Sequence, residues 1–417
     1  MRVLCTATGA ASHARALLPL TRALAGAGHE VTLVTTDVIA PFFAAEKMVV
    51  HASMPLLPPP PSVSDRTVGV DAEVRFRLRT AQLTGSYAYE TLRVLRAVTR
   101  GKDPELILRH GIDLGACLLA EELGVPHLPV PSGFVNMLDP ASVLTALNDG
   151  RDRLGLPTQE DPASLYPYGR LDYLPPSLSF ARTPVPVLAY RQSLPLDPAA
   201  LPAWVTRLPA DRPLVFASVG MALPLLHHRA PEGRMPPGVT DPTAQLRTVV
   251  AALSLLDVNA IVVTGGIRLD GAEAGPGIHL TDRLPQPLLL ECADLLVTHG
   301  GYKSVSEAIR TATPMAVFPN FADQPHNAER VQELGFGRRL DHPAPSTLAQ
   351  TCQEILEDRD AAVRLRAARL AVLGLPDISH APSDLEDIAT NPHRRRLADT
   401  RTPPDCGYLD RRPKAEL

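Results

Sequence analysis

The chain has 417 residues, 45% of them apolar and 21% charged, with a formal net charge of −4. That length exceeds one typical core and suits two domains, and the balance of residues excludes a wholly disordered chain. Basic and acidic residues are mixed, so no broad basic field exists to hold nucleic acid or an anionic membrane, and no apolar run approaches the ~20 residues of a membrane span. Five cysteines, Cys5, Cys117, Cys292, Cys352 and Cys406, stand far apart with no C-x-x-C pair. Buried, reduced thiols in a cytoplasm are expected rather than a disulfide framework or a zinc site. Met1 to Cys5 leads straight into a strand pattern and has no cleavage site, unlike a signal peptide.

In chain order, Val3 to Thr8 is predicted as a buried strand, Gly9 to Ser12 as a turn, and Ala14 to Ala27 as a helix. Leu17, Leu18, Leu20 and Leu24 fall at helical spacing, and Gly28 ends the helix. Val31 to Thr35 completes a β-α-β unit, which implies parallel strands and a right-handed crossover. A Pro-rich segment, Pro55 to Ser64, precedes a helical run from Ala72 to Arg100. Leu106 to Leu108, Leu114 to Leu123 and His127 to Val130 read as strand, helix and strand. Pro131 to Leu174 is irregular. Prolines thicken over 193–211, and 196–211 reads as an interdomain linker. Strands then recur at 213–218, 261–263, 295–297 and 315–318, with helices at 244–255, 303–311 and 327–334. After Leu375 the pattern decays. The basic run Arg394 to Arg396 reads as a solvated tail. Two alternating halves imply two doubly wound α/β sheets facing across a cleft, the default place for a ligand. The expected organisation is a domain over 1–195, the linker over 196–211, a second domain over 212–378, and a crossover and frayed tail over 379–417.

The most informative stretch is Asp294 to Gly337. The strand Leu295-Leu296-Val297 ends in Thr298-His299-Gly300-Gly301, and a helix starts near Lys303-Ser304. A strand, two glycines and a helix N-terminus bring backbone N–H groups and a partial positive charge to a ligand, which suits a diphosphate. Gly300 and Gly301 lack the Cβ atoms that would hold a phosphate away. His299 and Ser304 can donate to it. Glu307, one turn on, is better placed to accept from ribose hydroxyls. Asp323-Gln324 follows a later strand and offers groups suited to sugar hydroxyls.

The segment DLLVTHGGYKSVSEAIRTATPMAVFPNFADQPHNAERVQELGFGRRL resembles the donor signature of the family 1 glycosyltransferases of GT-B fold, and among them the bacterial antibiotic and macrolide members. The resemblance implies that His299, Gly301 and Ser304 hold the diphosphate, that Glu307 reads the ribose, and that Asp323 and Gln324 read the sugar. Gln286, in RLPQPLLL, resembles the residue near the nucleobase, and Gly220, ending PLVFASVG, resembles the first loop of the second domain. Some positions depart from the family. Lys303 stands where bacterial members usually have Gly, Ala312-Thr313-Pro314 replaces Gly-Val-Pro, and Met221 replaces Thr or Ser. No aromatic base-stacking residue is evident just before Gln286, where Arg283 or Leu284 stands in its place.

GAASHARALLPLTRALAGAGHEVTLVT resembles the family's opening β-α unit. The resemblance makes His13 the general base that deprotonates the acceptor hydroxyl, for attack on the anomeric carbon with inversion. An imidazole near pH 6.5 suits that task. Family members orient this His with an Asp after a strand. In PELILRHGID, His110 occupies that position and Asp113 lies three residues on. Asp113 then serves His13 from the next turn, or His13 acts without a carboxylate.

His227-His228 and Asp358-Arg359-Asp360 suggest no metal site, the latter reading as a solvated face, so no divalent metal or other cofactor is expected beyond a dTDP- or UDP-sugar co-substrate. The expected partners are that nucleotide sugar and a small-molecule aglycone held by 55–89 and 132–173. A homodimer is allowed; nucleic acid and integral membrane association are not expected. Two alternatives share the architecture, a non-catalytic auxiliary protein and a nucleoside-diphosphate-sugar epimerase. A dinucleotide dehydrogenase fails, because no G-x-G-x-x-G follows either first strand.

Overall fold

The computed structural model describes residues 1–9, 11–58, 78, 80–192, 200–229, 235, 240–270 and 274–391. Two parallel sheets organise them. The first contains β1 (Arg2–Ala7), β2 (Glu30–Thr35), β3 (Val49–His51), β4 (Leu106–Arg109) and β5 (His127–Pro129), in the order β3-β2-β1-β4-β5. The second contains β8 (Leu214–Ser218), β9 (Asn259–Val263), β10 (Ile278–Thr281), β11 (Leu295–Thr298), β12 (Met315–Val317) and β13 (Gly337–Arg339), in the order β10-β9-β8-β11-β12-β13. Between them in sequence lies a two-stranded parallel pair, β6 (Arg170–Asp172) and β7 (Val187–Ala189). This is the GT-B architecture of two Rossmann-like halves.

The central strands β1, β4, β8 and β11 are buried along most of their length because helices cover both faces of each sheet. In β1, Val3, Cys5 and Ala7 join one core while Leu4 joins the other. In β8, Val215 and Ala217 point to one core and Phe216 to the other. Helix α1 (Ala11–Gly26) buries Leu17, Leu20 and Leu24, each worth about 1.5–3 kcal/mol. Gly28 follows at φ +85°, a left-handed conformation that favours glycine.

The stretch 131–174, read as irregular, contains α4 (Gly133–Met137) and α5 (Pro140–Arg153), after α2 (Ser86–Thr99) and α3 (Leu114–Leu123). Ser132 caps α4 by accepting from Val135 N–H, and Asp139 caps α5 by accepting from Ala141 and Ser142. The chain also stays ordered past Leu375. A helix over Ala381–Thr390 places Ala381, Leu385 and Ile388, with Ile378 before it, in the same core as Leu17 and Leu24 of α1. Tyr190 Oη lies 2.7 Å from Asp384 and donates to it. The C-terminal helix therefore returns to the first half. The tail Arg394 to Arg396 and most of the Pro-rich segment 55–64 lie outside the described residues, as do 193–199.

Candidate active site

Both sheets reverse strand order once, between β1 and β4 and between β8 and β11. Neighbouring connections leave in opposite directions there, which opens a crevice at the carboxyl ends of the strands. His13 and His110 follow β1 and β4. Gly220 and His299 follow β8 and β11. Each pair therefore sits at one switch point.

At the first, His13 Nδ1 lies 2.6 Å from the Thr8 carbonyl. A carbonyl only accepts, so Nδ1 carries the proton and Nε2 holds the lone pair. Gly9, at φ +88°, makes room for this ring, since a Cβ there would lie 2.7 Å from His13 Nδ1. The His13 and His110 rings stack at 4.5 Å, and Phe134 stands edge-on to His13 at 6.0 Å. Burial lowers the His13 pKa below its usual 6.5, while the Thr8 carbonyl and the Asp323 charge oppose that shift. His110 is buried, and neither ring nitrogen has a hydrogen-bond partner among the described residues. Burial, then His13 and Arg109, push its pKa well below 6.5.

Asp113 does not reach His13 by hydrogen bond or ion pair. It is the N-cap of α3, where its carboxylate accepts from Ala116 N–H at 3.2 Å. Burial raises its pKa, and the Thr6 and Thr91 hydroxyls work against the rise. Asp113 drew attention by lying three residues past the family's acid position after β4, but an acid just before an apolar helix is also a capping signal.

At the second switch point the glycines serve the protein first. A Cβ on Gly220, which has φ +76°, would lie 2.4 Å from the His299 ring, and one on Gly301 would lie 2.5 Å from His299 Nε2. A Cβ on Gly300, at φ +82°, would meet Val317 at 2.6 Å. The glycines thus clear space for His299 and for β12, rather than for a ligand directly. Burial takes the His299 pKa down to about 4, partly countered by a hydrogen bond with the Ser218 backbone. His299 is a neutral ring at neutral pH.

Helix α9 (Tyr302–Thr311) starts at Gly301. Its residues meet α8 (Gln286–Leu289): Gln286 Nε2 donates to Glu307 at 2.7 Å and to Ser304 Oγ at 3.2 Å. Lys303 pairs with the buried Glu307 at 3.3 Å and donates to Gln192 at 2.7 Å. Burial lowers the Lys303 pKa, and Glu307 holds it up. Gln286, Ser304 and Glu307 thus form one cluster, with Lys303 inside it. At the start of α10 (Gln324–Glu333), Asp323 accepts from the Tyr302 N–H at 3.2 Å and from Asn327 Nδ2 at 2.7 Å. Its carboxylate therefore caps the helix N-terminus that the motif offers to an anion. Gln324 Oε1 accepts from the Asn320 and Phe321 N–H groups and folds its own loop. Ala322 holds the turn before Asp323 at φ +56°, a strained conformation for a residue with a Cβ.

The two halves meet at these residues. Asp323 packs on Gly133, whose added Cβ would overlap the carboxylate at 1.8 Å. Tyr302 donates its hydroxyl to Asp172, which pairs with the buried Arg170 at 2.5 Å. His326 Nε2 lies 2.6 Å from the Phe180 carbonyl. None of Tyr302, Asp172, Arg170 or Gln192 stood out in the sequence. Tyr302 with Asp172 and Lys303 with Gln192 pair across long stretches of chain, Arg170 meets Asp172 two residues on, and no local motif marks any of them.

Other candidates resolve plainly. His228 bonds the Gly265 carbonyl at 3.1 Å, and His227 packs beside it. Asp358 is no mere solvated face: it caps α12 (Arg359–Leu373) through Ala361 N–H and pairs with Arg338 at 3.4 Å. Cys5, Cys117 and Cys352 are buried as expected, but Cys292 is exposed; Cys406 lies outside the described residues. Among the described residues, no helix is long and apolar enough to cross a membrane.

Residues 247–378 match the family model "Erythromycin biosynthesis protein CIII-like, C-terminal domain". The chain is 28% identical to an L-demethylnoviosyl transferase of Streptomyces niveus over 86% of this chain and 90% of that protein. It is 25% identical to a 10-deoxymethynolide desosaminyltransferase of Streptomyces venezuelae over 96% of this chain and 100% of that one. The solved structure of the glycosyltransferase VinC in complex with dTDP superposes with a TM-score of 0.71 at 20% identity, covering 94% of this chain and 100% of that one. Residues 247–378 thus match the C-terminal domain of that family, the chain has the GT-B fold, and along its length it is similar to bacterial antibiotic and macrolide glycosyltransferases.

Proposed function

We propose that this glycosyltransferase moves a sugar from a nucleoside diphosphate to a hydroxyl of a small natural-product acceptor, with inversion at the anomeric carbon. The observation that carries the reading is the meeting of two switch points across one cleft. A histidine base lies on one side, and a strand-Gly-Gly-helix turn lies on the other, with Asp323 reaching from the second to Gly133 of the first.

The donor lies against the second half. Its diphosphate takes the α9 N-terminus, His299 and Ser304, in place of the Asp323 carboxylate at the Tyr302 N–H. Displaced, Asp323 is free to accept from sugar hydroxyls beside Gln324. The Gln286 and Glu307 cluster meets the nucleoside, with Glu307 toward the ribose. Because His299 is neutral, it has one N–H, for which the Ser218 backbone competes with the diphosphate, so the helix end supplies most of the positive field for the leaving group. These groups meet the leaving charge without a divalent cation, so EDTA should leave turnover intact. His13 Nε2 takes the acceptor proton.

Relatives named for L-demethylnoviosyl and desosaminyl transfer, and a structural neighbour solved with dTDP, support a deoxysugar on dTDP as donor, with UDP as the second choice. The same reading places the enzyme in the cytoplasm, where nucleotide sugars are made. The test is a thermal-shift panel of nucleoside diphosphates, followed by product analysis with the best donor. A ligand at 100 times its dissociation constant adds about 2.7 kcal/mol of stability. A shift with dTDP or UDP and a product of inverted anomeric configuration are expected. Retained configuration, or no shift with any nucleoside diphosphate, would overturn the proposal.

A further inference from the structure

We infer that the acceptor hydroxyl is an acidic one, phenolic or enolic, and that His110 is the positioning residue that sets this selectivity by occupying the place of a carboxylate. The inference rests on the sugar-transfer reading above and narrows its acceptor.

The geometry around His13 carries it. Its Nδ1–H is spent on a backbone carbonyl, a neutral acceptor, at 2.6 Å. The group against its ring, at 4.5 Å, is a second imidazole, buried and with neither nitrogen partnered among the described residues. The acid nearest to His110 in sequence, Asp113, is committed to Ala116 at the head of α3. A carboxylate in contact would stabilise the imidazolium formed when His13 takes a proton. Here no carboxylate is in contact among the described residues, and the one contact that favours the protonated ring is the neutral Thr8 carbonyl.

The charged groups that face the pair are few. Asp323, across the cleft, raises the proton affinity of His13, but it is beyond ion-pair distance and its carboxylate is held by Tyr302 N–H and Asn327. Arg109 and His13 itself both disfavour charge on His110. Burial outweighs the Thr8 carbonyl and Asp323 together at His13, and with no carboxylate in contact the base is weak.

A weak base works best on an acidic proton. A phenol ionises near pH 10, like tyrosine, whereas an alkyl hydroxyl holds its proton far more tightly, as water does. In the step, the acceptor O–H bond breaks and its proton goes to His13 Nε2. The oxygen bonds the anomeric carbon, and the C–O bond to the diphosphate breaks, its electron pair leaving on the diphosphate oxygen. The less basic His13 is, the more of the work the acceptor's own acidity must do. The wall beside His13 suits an aromatic acceptor as well. Phe134 stands edge-on to the base, and it packs with Leu57 against Leu83, Tyr87 and Ile112.

The test uses the full chain with dTDP-glucose and UDP-glucose as donor probes, and substituted phenols against benzyl alcohols of matched size as acceptors. In the wild type, kcat/KM for phenols should exceed that for benzyl alcohols by about 100-fold or more, within the range general-base effects span. His110→Asp should narrow that ratio at least tenfold and move the acidic limb of the kcat/KM profile upward by about one pH unit. His110→Asn, also smaller but uncharged, should do neither, which separates charge from packing. Equal rates for the two acceptor classes, or a ratio unmoved in His110→Asp, would overturn the inference. If no acceptor draws nucleoside diphosphate from either donor, the transfer reading fails instead. NMR titration of the His13 imidazole then decides the role of His110: an upward shift in His110→Asp supports it, and an unchanged titration refutes it.

Discussion

Removing the Tyr302 hydroxyl should loosen the seam between the two halves without touching the donor site. Tyr302 is buried at the first turn of α9 and donates to Asp172, 130 residues away in sequence. A hydrogen bond to a charged group contributes about 1.5–3 kcal/mol. In Tyr302→Phe, Asp172 keeps Arg170 at 2.5 Å and the Tyr173 N–H at 2.7 Å, so no charge is stranded and the low end applies. The ring keeps its edge-on contact with Phe180 at 5.7 Å. About 1.5–2 kcal/mol should be lost, a fall in Tm of roughly 3–8 °C for a unit of this size. The Tyr302 N–H remains, so nucleoside-diphosphate affinity should stay within about twofold, a few tenths of a kcal/mol. Differential scanning calorimetry and a double-mutant cycle with Asp172→Asn would measure it. A coupling near zero, or Tyr302→Phe melting like wild type, would refute this account of the seam. Arg170→Met, by contrast, leaves Asp172 buried without its cation and should cost about 3–5 kcal/mol.

Further outcomes follow from the same geometry. Gly301→Ala should weaken nucleoside-diphosphate binding about as much as His299→Ala, because its Cβ would lie 2.5 Å from His299 Nε2; calorimetric titration of both variants checks this. Ala312→Gly should stabilise the protein by up to about 1 kcal/mol, because Ala312 ends α9 in the left-handed region at φ +61°; urea melts measure it. His299 titrates near 6.5 when unfolded and near 4 when folded, so below pH 6.5 the unfolded chain binds the extra proton. Stability is therefore lost as pH falls through that window, at up to roughly 1.4 kcal/mol per pH unit from this group, and His299→Gln should flatten the slope.

Much of the fold was legible because its strands are short apolar runs closed by glycine. The strand-Gly-Gly-helix turn could be placed for the same reason. What the glycines do was not legible. Gly220 and Gly301 flank His299, and only the folded backbone reveals that a Cβ would strike the ring rather than a phosphate. Asp113 looked like a partner for His13 because it follows the right strand, yet that same position is the N-cap of α3. The helix after Leu375 was hidden by its brevity and by Pro382 in its first turn, although Ala381, Leu385 and Ile388 keep helical spacing. Tyr302 and Asp172 could not be paired in advance, since nothing local connects a tyrosine in one half to an acid in the other.

The division of labour between the halves is tested most directly by measuring donor affinity and turnover together in His13→Ala and His299→Ala. General-base catalysis is worth ~10²–10⁴-fold, so His13→Ala should lose turnover by that order and bind nucleoside diphosphate like wild type. His299→Ala should lose affinity by about 10–100-fold, the worth of one hydrogen bond to a charged ligand. Wild-type turnover in His13→Ala with an alcohol or phenol acceptor, or unchanged affinity in His299→Ala, would contradict the assignment of base to the first half and donor to the second.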